Sequence, residues 1–176
     1  MRAFIAIELP EAIRNEMFAL GLKMPGRISR VAADNIHITL QFLGEISERD
    51  ATLAIKAIKG ISSEQFNAEA KGISYFRAKK IHTVYAKITD SGRVVDTYSE
   101  IQSRFSNLGI KVDQDRQYVP HATIARVKQE DPELSEFIDQ NSSHYFGRFK
   151  VTSICMIKSV LTGKEPAYTK IFEQNI

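Results

Sequence analysis

Apolar residues recur along this chain at two different spacings, and the alternation between them predicts the elements. Residues 2 to 8 form a short apolar run that reads as a buried strand. Pro10 then suits the first turn of a helix carrying Ile13, Met17 and Leu20 on one side, closed by Pro25-Gly26. Strict alternation follows from Asn35 to Leu43 and predicts a strand, which Gly44 breaks. Ser47 with Asp50 three residues on resembles an N-cap signal, and Ala54, Ala57, Ile58 and Ile61 give the next helix its apolar side. Residues 65 to 76 and 80 to 89 read as two strands joined near Lys79-Lys80.

A second half opens at Asp90-Ser91-Gly92. Val94, Val95, Tyr98, Ile101, Phe105 and Leu108 mark a long amphipathic helix ended by Gly109. A strand from 118 to 125, a short helix at 131 to 140 begun by Asp131-Pro132, and strands at 147 to 161 and 167 to 174 complete the pattern. The order strand, helix, strand, helix, strands therefore occurs roughly twice, which predicts an α+β fold with an architectural repeat. Outside one short pattern the halves share little residue by residue.

That pattern is His-x-Thr followed by an aliphatic residue, at His37-Ile38-Thr39-Leu40 and again at His121-Ala122-Thr123-Ile124. With four His and nine Thr in 176 residues, chance supplies roughly 0.2 His-x-Thr triplets, against two found. Residues two apart on a strand face the same way, so each triplet presents one imidazole beside one hydroxyl. In the first strand Ile36, Ile38, Leu40 and Phe42 are expected on the packing face, and His37, Thr39 and Gln41 on the other. In the second, Val119 and Ala125 share the face of His121 and Thr123, while Arg126 falls out of phase and reaches the site only through a bulge or strand end.

Two imidazoles and two hydroxyls converging on one place would supply a base, an acid and hydrogen-bond donors to phosphate oxygens, as a metal-free phosphodiester hydrolase requires. His82 and His144 lie outside the pattern and are read as structural. The spacings hold no familiar zinc ligand set, and no P-loop or dinucleotide fingerprint is present, so neither metal nor cofactor is expected.

Composition narrows this only modestly. With 43% hydrophobic residues, the chain can bury a substantial core as one compact domain, 1–176, built from approximate halves 1–89 and 90–176 that could exchange terminal strands. The net charge of +3 is compatible with an anionic partner without requiring one. Basic clusters at Lys23, Arg27 and Arg30, at Lys79 and Lys80, and at Arg126 and Lys128 are read chiefly as solvated faces. Glu8 and Pro10 end the N-terminal apolar run short of a signal-peptide core or membrane span, so a cytoplasmic monomer without a membrane partner is expected. The single Cys155, within Ile154-Cys155-Met156-Ile157, reads as a small buried hydrophobe.

The chain resembles the two-histidine phosphoesterases, and most closely the RNA 2′,3′-cyclic phosphodiesterases also called 2′-5′ RNA ligases. The resemblance is carried by Arg2-Ala3-Phe4-Ile5-Ala6-Ile7, Asn35 to Glu45, Pro120 to Arg126, and Ser159-Val160-Leu161 with Pro166-Ala167-Tyr168. Ala122 stands where the family often has a larger residue, and Glu165-Pro166 replaces the usual Gly-Pro. The resemblance implies two pseudo-symmetric lobes of mostly antiparallel sheet around a central cleft, with helices outside. It also implies metal-independent hydrolysis of RNA 2′,3′-cyclic phosphate ends, tRNA fragments included, to 2′-phosphomonoesters. His37 would be proton donor, His121 proton acceptor, and Thr39 and Thr123 would bind substrate. Reversible 2′-5′ ligation and a non-catalytic RNA-end binding module remain alternatives. Tyr118, Phe76, Phe42 and Tyr168 could offer base-stacking surfaces to any of the three.

Overall fold

A computed structural model describes residues 1–111, 117–163 and 165–176. Its elements follow the order β1 (Arg2–Glu8), α1 (Glu11–Leu22), β2 (Arg27–Arg30), β3 (His37–Glu45), α2 (Glu48–Lys59), β4 (Phe66–Arg77), β5 (Ile81–Thr89), α3 (Arg93–Asn107), β6 (His121–Gln129), α4 (Pro132–Gln140), β7 (Tyr145–Val151), β8 (Ser153–Leu161) and β9 (Pro166–Asn175). The fold is α+β, and every strand pairing among the described residues is antiparallel.

Local chemistry explains where the helices start and stop. The Ser47 hydroxyl accepts from the Asp50 backbone N–H at 3.1 Å to cap α2, and the Asp131 carboxylate accepts from Glu133 N–H at 2.9 Å to cap α4, with Pro132 opening the helix. Beyond α3, Gly109 takes a positive φ of 71° and Ile110 N–H returns to the Phe105 carbonyl at 2.9 Å, ending the helix as its sequence predicts.

The strands form one sheet in the order β7-β4-β5-β6-β3-β1-β8-β9, with β2 paired to β6. Its two arms meet where β6 lies beside β3, at a single register pair, Ile38 with Ala122. Both chain halves contribute to both arms. The strand after α2, β4, pairs with β5 of the second arm, whereas β8, beyond α4, pairs with β1 of the first. The helices cross likewise, since α1 packs against β6 and β7 while α3 packs against β3. The core between sheet and helices includes Ile5, Met17, Ile38, Leu40, Ile58, Phe105 and Ile124, each almost fully buried.

Three expectations need correction. The predicted strand over 147–161 is two strands divided at Thr152, one at the far edge of the second arm and the other beside β1. Neither Gly nor Pro marks the division, so local propensity gives no sign of it. The four-residue β2 has no counterpart in the sequence reading, because Arg-Ile-Ser-Arg is too short and too charged to stand out from a loop. Finally, the regular alternation expected for β3 and β6 fails after each triplet. On β3 the register against β1 slips by one residue at Leu40, and on β6 the register against β5 slips by one at Ile124. These matching bulges invert the phase of the residues just downstream. Gln41 and Ala125 are buried, whereas Phe42 is 63% exposed and Arg126 turns outward.

Ile38 is fully buried at the only register pair joining β3 to β6 among the described residues. Ile38→Ala is therefore expected to lose about 3 kcal/mol of unfolding free energy, the range for deleting a buried aliphatic side chain. Urea denaturation checks it, and a loss below about 1 kcal/mol would show that the junction is not part of the stabilising core.

Candidate active site

The Ile38–Ala122 pair fixes the relation of the two triplets. In an antiparallel pair centred on these residues, His37 lies across from Thr123 and Thr39 across from His121, all on the face opposite the two buried central side chains. The four polar side chains line a common cavity of about 220 Å³. All four residues singled out from the sequence are thus brought together.

Each imidazole is held in the same way. His37 Nδ1 lies 2.7 Å from the Asn35 carbonyl oxygen, and His121 Nδ1 lies 2.7 Å from that of Val119. A carbonyl oxygen only accepts, so in both rings Nδ1 carries the proton and donates it. In the neutral ring Nε2 is then the titratable atom. At His37, Nε2 stands 3.0 Å from Thr39 Oγ1, which donates to it in the neutral ring and accepts from it in the charged one.

Aromatic rings set the planes. Phe4 stacks on His37 at 4.6 Å between centroids and Tyr168 meets it edge-on at 5.6 Å. Phe76 and Tyr85 pack edge-on against His121 at 4.9 and 5.3 Å. Of the candidate stacking residues, Phe42, Phe76 and Tyr168 line the cavity. Tyr118 instead donates its hydroxyl to the Thr39 carbonyl at 2.8 Å and stacks on Tyr98, tying the segment before one triplet to the backbone of the other.

Desolvation dominates the electrostatics of His37. Burial lowers its pKa to about 4, the hydrogen bond to Asn35 opposes this, His121 and Arg126 add to the lowering, and Glu8 works against it. Part of the residue's surface reaches solvent, but the ring itself is packed between Phe4 and Tyr168. In the ligand-free site His37 is therefore neutral near pH 7.

Arg126 also lines the cavity, delivered there by the Ile124 bulge. Phe42 reaches it from the other arm through the equivalent bulge at Leu40, although alternation assigns Phe42 to the packing face. The two residues stand at the same distance from their triplets, three positions beyond each Thr. His82 and His144 lie outside this cavity, His82 against the Thr83 hydroxyl at 3.0 Å and His144 against Glu16 at 2.9 Å. Cys155 is fully buried, and burial followed by the nearby Glu8 pushes its thiol up to about 12, which leaves it an unreactive packing residue. Among the described residues no helix is long and apolar enough to cross a membrane.

The chain and its fold both have relatives among known proteins. The chain is 35% identical over 177 residues to an RNA 2′,3′-cyclic phosphodiesterase of Methanocaldococcus jannaschii, covering 98% of this chain and 99% of that protein. It is 30% identical to an Aquifex aeolicus protein of the same name, covering 98% and 96% respectively. A crystal structure from Thermus thermophilus superposes with a TM-score of 0.83 at 25% identity, over 99% of this chain and 97% of that one. Escherichia coli LigT, in its complex with 3′-AMP, has the same fold, with a TM-score of 0.81 at 22% identity over 99% and 97% of the two chains. The sequence also matches the model of the 2′-5′ RNA ligase superfamily over residues 10–162, and with a near full-length relative above 30% identity this chain belongs to that superfamily.

Proposed function

We propose that this protein is an RNA 2′,3′-cyclic phosphodiesterase, hydrolysing the cyclic end of an RNA to a 2′-phosphomonoester without a metal ion. The observation that carries the reading is the pair of imidazoles, each with Nδ1 locked by a backbone carbonyl and Nε2 as the titrating atom, at one cavity with two threonines and an arginine. Ligation and simple end binding would use the same cavity. The shared name of the near full-length relatives favours hydrolysis over both.

In this mechanism the phosphate lies between the triplets. His121 accepts a proton from water as its oxygen bonds to phosphorus, and His37 gives a proton to the 3′-oxygen as the P–O3′ bond breaks. The products are a 2′-phosphate and a free 3′-hydroxyl. Thr39 and Thr123 donate to the non-bridging oxygens, with Arg126 facing the same negative charge, which is where stabilisation counts most. The ring packing holds the imidazoles in place, so reaction requires little reorganisation around them.

His37 must gain a proton before it can act as donor. An anionic phosphate within the cavity offsets the positive field of Arg126 and favours the imidazolium, so binding should raise the His37 pKa. In the free protein burial holds the His37 pKa down at about 4, and with phosphate bound the ring should take up its proton at higher pH. NMR titration of His37 with and without a nucleoside 2′-monophosphate checks this. A ring that stays neutral at pH 6 in the complex would reverse the two histidines' roles.

Incubation in EDTA with a short RNA ending in a 2′,3′-cyclic phosphate should yield a product one water heavier carrying a 2′-phosphate. His37→Ala and His121→Ala should each lower kcat at least about 100-fold, the low end for losing one positioned proton-transfer group. Thr39→Ala and Thr123→Ala should each cost about 100-fold as lost oxyanion donors. An intact cyclic end despite measurable RNA binding would reject the hydrolase in favour of a binding module.

A further inference from the structure

A substrate whose phosphate lies between the histidines must direct the rest of its chain out of the 220 Å³ cavity, which shares lining residues with three neighbouring spaces. In one of about 200 Å³, reached past His37 and Tyr168, both cations are already paired, Arg14 with Asp34 and Lys170 with Glu8, which leaves two. One, of about 230 Å³, shares Thr39, Phe42 and His121 with the cavity and has no lysine or arginine on its wall among the described residues. The other is a cleft of about 510 Å³ that shares Asn35, Phe42, Arg126 and Tyr168 with the cavity and adds Arg2, Arg30 and Leu161, with one carboxylate, Glu165, against its three arginines.

The chemistry of the larger cleft is distinctive. Its three arginines are not equivalent. Arg30 is held to the wall, donating from Nε to the Gly21 carbonyl at 2.8 Å and from its terminal nitrogen to that of Met24 at 3.2 Å. Arg2 and Arg126 make no ion pair or side-chain hydrogen bond among the described residues. Beside them stand two of the most exposed large apolar side chains of the molecule, Phe42 at 63% and Leu161 at 71%. Unengaged guanidinium groups next to bare apolar surface form the combination that holds single-stranded nucleic acid, cations for phosphates and apolar faces for bases.

We propose that this cleft binds the RNA strand on the 5′ side of the cyclic end, with Arg2 against the first internucleotide phosphate and a base resting on Phe42 and Leu161, a proposal that rests on the phosphodiesterase reading. Arg126 remains with the reacting phosphate, so the two guanidiniums hold successive phosphates of one strand. Asn35 lines both the cleft and the cavity, and its Nδ2 donates to the Pro166 carbonyl at 3.0 Å while its own carbonyl anchors His37. Filling of the cleft thus bears on the segment that orients the catalytic ring, and the enzyme should prefer an RNA strand to a lone nucleotide.

The test compares kcat/KM for a mononucleoside 2′,3′-cyclic phosphate with that for a trinucleotide ending in the same group. The wild-type protein should favour the trinucleotide at least about tenfold, and Arg2→Ala should remove most of that preference, with Arg2→Lys restoring part of it through the charge. Loss of one phosphate contact should also reduce the salt dependence of log(kcat/KM) for the trinucleotide by about 0.7. Arg2 is exposed at the start of β1, and an unchanged thermal transition confirms folding of the variants. Equal rates on both substrates, or an equal loss on both in Arg2→Ala, would overturn the cleft assignment and leave the phosphodiesterase intact. Hydrolysis of neither substrate by the wild type would overturn both.

Discussion

One backbone pairing, Ile38 with Ala122, governs the rest of this molecule. The strands on either side of it belong to different arms, and each slips register against its outer neighbour two residues on, at Leu40 and at Ile124. A longer ladder between β3 and β6 would keep the sheet flat and extend the paired region past the triplets. A shorter one would leave the imidazoles unrelated. A single pair allows the sheet to curl around the reacting groups and still fixes the central side chains, Ile38 and Ala122, inside the core. The small Ala122 suits this crossing, where two strands and the helices behind them meet at close quarters.

The chemistry of the site depends on the same economy of parts. Each histidine has its tautomer fixed by the carbonyl two residues earlier in its own chain rather than by a carboxylate. A carbonyl orients the ring without contributing a negative charge, so proton affinity is left to burial and to whatever occupies the cavity. For His37 that means neutrality when the site is empty and a response to bound anion. Glu8, opposite His37 in the β1–β3 register, acts on the ring through its charge alone, and its carboxylate accepts from the Lys170 ammonium at 2.7 Å.

Much of this is legible in the sequence, and the limits have a physical pattern. Repetition exposes the two triplets, and strand parity puts His37 with Thr39 and His121 with Thr123, because over three residues a strand has no room to depart from alternation. The helix caps at Ser47 and Asp131 are legible because they rest on one side chain and one backbone N–H. What fails is any inference carried past a bulge. Alternation puts Phe42 in the core and Gln41 at the site, and the Leu40 bulge exchanges them. Arg126 reaches the site on the condition that its sequence phase imposes, a bulge, and the Ile124 slip meets it. The division at Thr152 and the pairing of β8 with β1 are invisible for a related reason, since they depend on which distant edge needs a partner rather than on local preference.

The crossed arrangement of strands also bears on how the chain is made. Phe4 and Ile5 emerge from the ribosome well ahead of their partners on the outer side, Ile157 and Met156, which follow about 150 residues later. Throughout that interval β1 lacks one of its two neighbours, and an apolar strand with an open edge is a template for pairing with other chains. The architecture that brings two histidines together thus obliges the nascent polypeptide to wait, its earliest strand protected only when one of its latest arrives.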